Sequence, residues 1–339
     1  MAWRSAPLVQ ASCRRSLADS RTMTSTALRP ALLSPHLNPG DRVRFVSPAS
    51  TPDRELVAKG VELVTSWGLQ VELSDHAFDR HGYLAGTDED RLADLNDAFN
   101  DGGVRAIFAT RGGKGAARIA DDLDFDAVRR DPKPLIGFSD ITALHLALWN
   151  RAGLVGIHGP SMSWYEPNCG PDCAEALRRA LMTTDEIVVR QDPNELSAAL
   201  TTGEPATGFL MGGNLETIRC SIGADLRSLA GGILLIEENR GTGLGMVDRQ
   251  LTQLMRSGVL NGLRGVAVGQ ITGFEDDLSN GWTVLDVLRD RLANLNVPIL
   301  GGLPIGHGPQ PATVPLGTQA TIDPTTGTLT VAPGVRPAP

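Results

Sequence analysis

Lys133-Pro-Leu-Ile-Gly-Phe-Ser-Asp-Ile-Thr142, continuing as Ala143-Leu-His-Leu-Ala-Leu-Trp149, is the stretch on which the reading of this chain turns. Leu135 and Ile136 form a short apolar run that stops at Gly137. Beyond Ser139 and Asp140, the apolar residues Ile141, Leu144 and Leu148 recur at helical spacing. The pattern predicts a buried strand, a tight turn and a helix. A hydroxyl on such a turn stands clear of the sheet. The helix start beside it offers free N–H groups and a positive dipole end, which suits a nucleophile and its oxyanion. The stretch departs from the G-x-S-x-G elbow, because Asp140 follows the serine and the second glycine is missing. A plainer reading has Ser139 or Asp140 simply N-capping the helix, as both residue types do well.

Upstream, Val43-Arg-Phe-Val46 alternates and breaks into Ser47-Pro-Ala-Ser50, a strand entering a loop. Residues 54–67 place Leu56, Val57, Val61 and Val64 at helical spacing, with Gly68 as the closing glycine and 69–73 as the next strand. Residues 88–100 read as a helix and 106–109 as a strand, which ends in Thr110-Arg-Gly-Gly-Lys-Gly115 before a helix over 116–120. Strand and helix alternating in this way predict a mostly parallel sheet covered on both faces. The glycine loop lacks the G-x4-G-K-[ST] spacing of a nucleotide site. It does let a substrate carbonyl approach exposed N–H groups. Because it and the Ser139 turn both follow strands, both are expected at the carboxyl edge of one sheet, where ligands bind in open α/β folds.

Downstream, 172–181 reads as a helix and 183–203 as a polar crossover. A second unit begins at 206 with Met211-Gly-Gly-Asn-Leu215. Its strand Gly232-Ile-Leu-Leu-Ile236 runs straight into Glu237 and Glu238. Carboxylates directly after buried aliphatics are costly unless the strand end opens on a polar cleft. Further elements are a helix over 246–255, a strand over 265–271, a helix over 284–295 and a hairpin from 312–322 to 328–331.

At 339 residues, two domains are the expectation, with the division 37–182, a linker 183–205, and 206–335. Residues 1–36 are Arg-, Ser- and Ala-rich and are expected to lie outside the fold, as a disordered or mis-assigned extension. The net charge of −8 with scattered basic residues argues against nucleic acid or an anionic membrane as partner. No apolar run approaches the ~20 residues of a membrane span. Cys13, Cys169, Cys173 and Cys220 include one C-x3-C pair without further ligands nearby, which reads as free thiols in a reducing cytoplasm; neither a metal nor a cofactor is expected.

Ser139 needs a base, and the base needs an orienting carboxylate. Of six histidines, His36 lies in the tail, His76 and His81 in a polar loop, and His145 inside the helix after Ser139. His158 and His307 sit in Gly/Pro loops, but only His307 is flanked by glycine on both sides. Glu237, ending a buried strand, is the rigidly held acid.

Together these residues resemble the LD-carboxypeptidase family of serine peptidases, which includes the microcin C immunity peptidases. The resemblance rests on Ser47-Pro-Ala-Ser50, Arg111-Gly-Gly-Lys-Gly115, Gly137-Phe-Ser-Asp-Ile-Thr142, His158-Gly-Pro160, Met211-Gly-Gly-Asn-Leu215, Ile233-Leu-Leu-Ile-Glu-Glu238, and Gly306-His-Gly308 with Pro315-Leu-Gly317. It implies an α/β fold: an N-terminal parallel-sheet domain carrying the nucleophile, a smaller β-rich C-terminal domain, and a cleft between them. It implies Ser139 as nucleophile, His307 as base, Glu237 as its orienter, and the N–H groups of Asp140 and Gly113 as oxyanion donors. Lys114 stands where the family often has Tyr, and Glu238 where it often has Asp. The implied substrate is a cytoplasmic murein tetrapeptide losing its terminal D-alanine, and the implied assembly a homodimer. A free carboxylate on that peptide calls for a cation near the serine; Arg111 is the candidate, unless it only ties its own loop to an acidic neighbour. The alternative substrate is an aminoacyl-nucleotide amide, with Trp164 or Tyr165 as the base platform. A non-catalytic ligand-binding module is the third reading.

Overall fold

In the computed structural model, the described residues are 30–163, 168–239, 243–274, 279 and 281–338. In chain order the first half runs β1 (Ser34–Pro35), β2 (Arg42–Val46), α1 (Arg54–Ser66), β3 (Gln70–Leu73), α2 (Asp88–Asn100), β4 (Val104–Ala109), α3 (Ala116–Ile119), α4 (Phe125–Arg130), β5 (Leu135–Gly137), α5 (Thr142–Ala152), β6 (Gly156–His158) and α6 (Pro171–Met182). The second half runs β7 (Ile187–Arg190), β8 (Ala206–Asn214), α7 (Leu215–Cys220), β9 (Gly232–Asn239), α8 (Leu244–Ser257), β10 (Gly265–Thr272), α9 (Val284–Leu292), β11 (Ile299–Leu300), β12 (Val314–Leu316), β13 (Gln319–Asp323), β14 (Thr328–Val331) and β15 (Val335–Arg336).

A six-stranded sheet has the order β12-β6-β5-β4-β2-β3, parallel except at β12. Its central strands β4 and β5 are near-continuous apolar runs because helices cover both faces: Phe45, Phe108, Ile136 and Ile157 belong to one apolar cluster, and Val46, Ile107, Ala109 and Leu135 to another. The chain leaves β2 for β3 on one side and then returns to β4 on the other. The carboxyl ends of β2 and β4 therefore form the switch point at which open α/β sheets bind ligands.

The seven-stranded sheet, β11-β10-β9-β8-β13-β14-β7, is parallel from β8 to β11 and antiparallel beyond. Ile233, Leu234, Leu235 and Ile236 of β9 are fully buried at its centre, which holds the following carboxylates on a rigid strand end.

Four expectations need correction. Residues 187–190, read as part of the crossover, form β7 and pair with β14, because their alternating pattern completes the antiparallel edge. Residues 314–316 do not join the hairpin of β13 and β14; they cross to the first sheet and pair with β6. Ser34–Pro35, assigned to the extension, pair with β15, and Leu32 bridges to Leu154. Cys169 and Cys173 are not free thiols: they form a disulfide, whereas Cys220 is free and exposed. Cys169 lies just before the extended N-cap Gly170 and Cys173 in the first turn of α6, so the disulfide ties the incoming chain to the helix start.

Candidate active site

Ser139 follows β5 at the turn predicted from the sequence. Its φ of 62° places a non-glycine residue in the left-handed region, a conformation costing on the order of 1–3 kcal/mol that packing around it must hold. The glycine loop supplies that packing, since a Cβ on Gly112 would lie 2.9 Å from Ser139 Cβ. Gly113, at φ 108°, packs against Ser50, where a Cβ would lie 2.4 Å from the hydroxyl. Ser50 in turn donates its N–H to the Gly112 carbonyl at 3.2 Å and accepts from Lys114 N–H at 3.1 Å. Glycine is required at both positions for steric reasons.

Neither Ser139 nor Asp140 caps α5. Asp140 Oδ2 instead accepts the N–H of Ala116 at 2.8 Å, so it ties the first turn of α3, and with it the glycine loop, to the Ser139 turn. Burial pushes the Asp140 carboxyl up, against that hydrogen bond and the Lys114 charge.

His307 lies on the loop after β11, 168 residues from Ser139, yet its Nε2 stands 3.1 Å from Ser139 Oγ. Its Nδ1 stands 2.5 Å from Glu237 Oε2, with side-chain exposures of 7% for the imidazole and 0% for the carboxylate. Burial pulls the His307 pKa down, but the Glu237 charge and hydrogen bond and the Glu238 charge outweigh it, leaving a net rise. Gly306, at φ 133°, is the close approach that seats this pair, since a Cβ there would meet Glu237 Oε2 at 2.9 Å. Phe138 covers the imidazole with ring centroids 4.8 Å apart.

Glu238 points elsewhere, as alternation along a strand requires. Its carboxylate accepts from Asn214 Nδ2 at 3.1 Å, from Glu216 N–H at 3.0 Å and from Asn239 N–H at 3.0 Å. Burial and the neighbouring Glu237 charge push its pKa up to about 7. Glu216 also meets Lys114 at 3.0 Å, an ion pair joining the glycine loop to α7.

Arg111 is exposed, and its guanidinium donates to the Thr51 carbonyl at 3.0 Å rather than to an acidic neighbour. Trp164 and Tyr165 lie outside the described residues. His145 is buried with Nε2 3.1 Å from the Leu135 carbonyl, and burial lowers its pKa to about 3.

Two residues escaped the sequence reading. Gln270 sits at an irregularity of β10 between Val268 and Ile271. Its Oε1 accepts Gly308 N–H at 2.8 Å and its Nε2 donates to the Pro309 carbonyl at 3.1 Å, which clamps the loop that carries His307. A lone polar residue in the apolar run 265–271 was the available signal. Thr142 Oγ1 accepts Asn214 N–H at 3.1 Å and joins α5 to the second sheet.

Among the described residues, His76, Asp79 and Asp90 form the one His/acidic group close enough to hold a metal ion, and it is separate from Ser139 and His307 in its contacts. No described helix is long and apolar enough to cross a membrane.

Residues 43–159 match the model of the LD-carboxypeptidase N-terminal domain, and 207–322 that of the LD-carboxypeptidase C-terminal domain. The murein tetrapeptide carboxypeptidase of Pseudomonas aeruginosa is 30% identical over 290 residues, covering 83% of this chain and 93% of its own. Among solved structures, a MccF-like protein from Bacillus anthracis superimposes with a TM-score of 0.81 at 26% identity, covering 89% of this chain and all of that one. The muramoyltetrapeptide carboxypeptidase of Oxalobacter formigenes shares the fold, with a TM-score of 0.76 at 24% identity over 88% of this chain and all of its own.

Proposed function

This chain belongs to the LD-carboxypeptidase family, and from that premise we propose that it is a serine LD-carboxypeptidase removing the terminal D-alanine of murein tetrapeptides. The observation that carries this reading is the continuous line Ser139 Oγ–His307 Nε2, His307 Nδ1–Glu237 Oε2 at 3.1 and 2.5 Å. It has the geometry of a nucleophile, its base and the orienter of that base.

In this mechanism His307 Nε2 takes the Ser139 proton as Oγ attacks the scissile carbonyl. The Nδ1–H donates to Glu237, whose negative charge stabilises the imidazolium. The N–H of Asp140, at the positive start of the turn into α5, and the N–H of Gly113 receive the oxyanion. His307 then protonates the departing amine of D-alanine, and water, activated by the same imidazole, releases the acyl group. No step calls on a metal ion or an organic cofactor.

The name of the Pseudomonas aeruginosa relative supports the murein substrate. The fold shared with MccF, structures of which hold aspartyl sulfamoyl adenosine, supports the second reading, an aminoacyl-nucleotide amide. Turnover of a murein tetrapeptide and of an aminoacyl sulfamoyl adenosine, measured side by side, separates the two. D-alanine release with kcat/KM at least about a hundredfold higher for the tetrapeptide is expected; the reverse ranking overturns the proposal. Covalent labelling of Ser139 by a serine-directed phosphonate, detected by mass, excludes the non-catalytic reading.

A further inference from the structure

At the β2/β4 switch point, beside the loop that packs on Ser139, lies a cavity of ≈ 440 Å³. Its walls come from the loop after β2 and the start of α1, from the segment after β3, and from Arg111 after β4. Three guanidinium groups, those of Arg54, Arg80 and Arg111, line it together with Thr51 and Phe78. Among the described residues none of the three forms an ion pair. Arg54 instead lies over the Phe78 ring, 4.1 Å from its centroid, and Arg111 uses one nitrogen on the Thr51 carbonyl.

Two carboxylates, Asp53 and Glu55, also reach the rim. Asp53 is already engaged: its Oδ1 accepts the N–H groups of Glu55 and Leu56 as the N-cap of α1. The cap satisfies the helix end without cancelling the Asp53 charge, so the lining carries three guanidinium groups and two carboxylates, a net positive balance. Placing like charges around one concavity is unfavourable unless an anion joins them. Guanidinium groups are also the donors best matched to a planar carboxylate or a phosphate. Arg111 is joined in sequence to Gly112, which packs against Ser139, so the cavity wall and the serine turn share one loop.

We propose that this cavity is an anion subsite in which Arg54, Arg80 and Arg111 receive a carboxylate or phosphate of the bound substrate. The inference rests on the peptidase reading for its substrate but not for its geometry. Ordinary substrate positioning would need only one cation beside the serine; here three line one cavity. Such a subsite discriminates against neutral peptides of the same shape, because an uncharged group there leaves the arginines unpaired.

Equilibrium binding to the Ser139→Ala protein, which cannot turn its ligand over, tests this. The probes are the murein tetrapeptide, the same peptide with its carboxylates amidated, and adenosine monophosphate, measured by titration calorimetry for the parent and for Arg54→Gln and Arg80→Gln. Both arginines are exposed, and unchanged melting temperatures check that the variants fold. Each variant is expected to weaken binding of an anionic probe about tenfold or more, and to leave the amidated peptide unaffected. Loss confined to the tetrapeptide assigns the subsite to a carboxylate, and loss confined to the nucleotide assigns it to a phosphate. Lysine at either position should restore part of the affinity. Equal affinity of parent and variants for both anions overturns the proposal. So does equal loss for charged and amidated peptide, or failure of the parent to bind either anion at millimolar concentration. If the wild-type protein fails to hydrolyse the tetrapeptide while this binding pattern holds, the peptidase reading falls and the subsite stands.

Discussion

Replacing Glu237 by glutamine removes one negative charge and changes no shape. The affected contact is the 2.5 Å bond from His307 Nδ1, made between two side chains that water scarcely reaches. An amide at this place has two options. It can turn its carbonyl to Nδ1–H and keep the tautomer while losing the charge that stabilises the imidazolium. Or it can turn its NH2 to Nδ1, which moves the ring proton to Nε2 and blocks acceptance from Ser139. Gly306 packs against the Glu237 side chain, with a Cβ position 2.9 Å from Oε2, so the side chain cannot swing away and be replaced by water. Serine-triad precedent sets the loss at about 10³–10⁴ in kcat, roughly 4–5.5 kcal/mol at about 1.4 kcal/mol per decade, with KM little changed. The assay is D-alanine release from the tetrapeptide, with thermal unfolding as the check on folding. Glu238→Gln is the internal control. Its carboxylate faces Asn214 and the N–H groups of Glu216 and Asn239, so it should keep most of kcat. Because the Glu238 charge helps to raise the His307 pKa, this control should shift the acid limb of kcat/KM downward, from a wild-type position above the ordinary histidine value. More than about 10% of wild-type kcat in Glu237→Gln, or a crippled Glu238→Gln beside an active Glu237→Gln, refutes the assignment of the orienting acid.

Ser139→Ala should leave less than about 1% of turnover with the fold intact, and Ser139→Gly should do the same while raising unfolding stability by about 1 kcal/mol, since glycine relieves the φ of 62°; turnover near wild type in either variant contradicts the mechanism. Incubation with EDTA should leave hydrolysis unchanged, and a loss restored by zinc would overturn the serine chemistry. Stability should carry two opposed pH dependences. His145 and His158 are buried with pKa values lowered to about 3 and about 4, so the unfolded chain binds more protons below pH 6.5 and stability falls as pH drops from there. The Glu238 pKa, raised to about 7, means the folded state binds the extra proton between about pH 4.5 and 7; its contribution is present below that window and lost as pH rises through it. Urea unfolding at pH 7 and 4.5 should therefore show a steeper acid loss in Glu238→Gln and a shallower one in His145→Gln; the opposite order would refute these assignments.

The elements around Ser139 were legible in the residues alone because their signal is local. A buried strand, a turn residue and a 3.6-residue period need no partner to be recognised, and the same holds for Glu237 after four aliphatics and His307 between two glycines. Helix α2 has the bounds its pattern predicts, and Gly68 adopts the left-handed φ of 85° expected of a helix-closing glycine. What local pattern cannot carry is which distant surfaces meet. The apolar residues Val314 and Leu316 suit either sheet, and only the topology sends them to β6 instead of the neighbouring hairpin. Asp140 has the composition of a cap, yet the helix it serves is α3, 24 residues upstream, because the glycine loop folds back onto the Ser139 turn. Gln270 looks like a blemish in a strand until the irregularity of β10 turns its amide onto the His307 loop. Arg54 at the start of α1, Arg80 after β3 and Arg111 after β4 lie far apart in sequence, and they become neighbours only because β3, β2 and β4 lie side by side. Periodicity specifies the elements and their buried faces; the register of long-range pairing, which no window of sequence contains, brings the charges together.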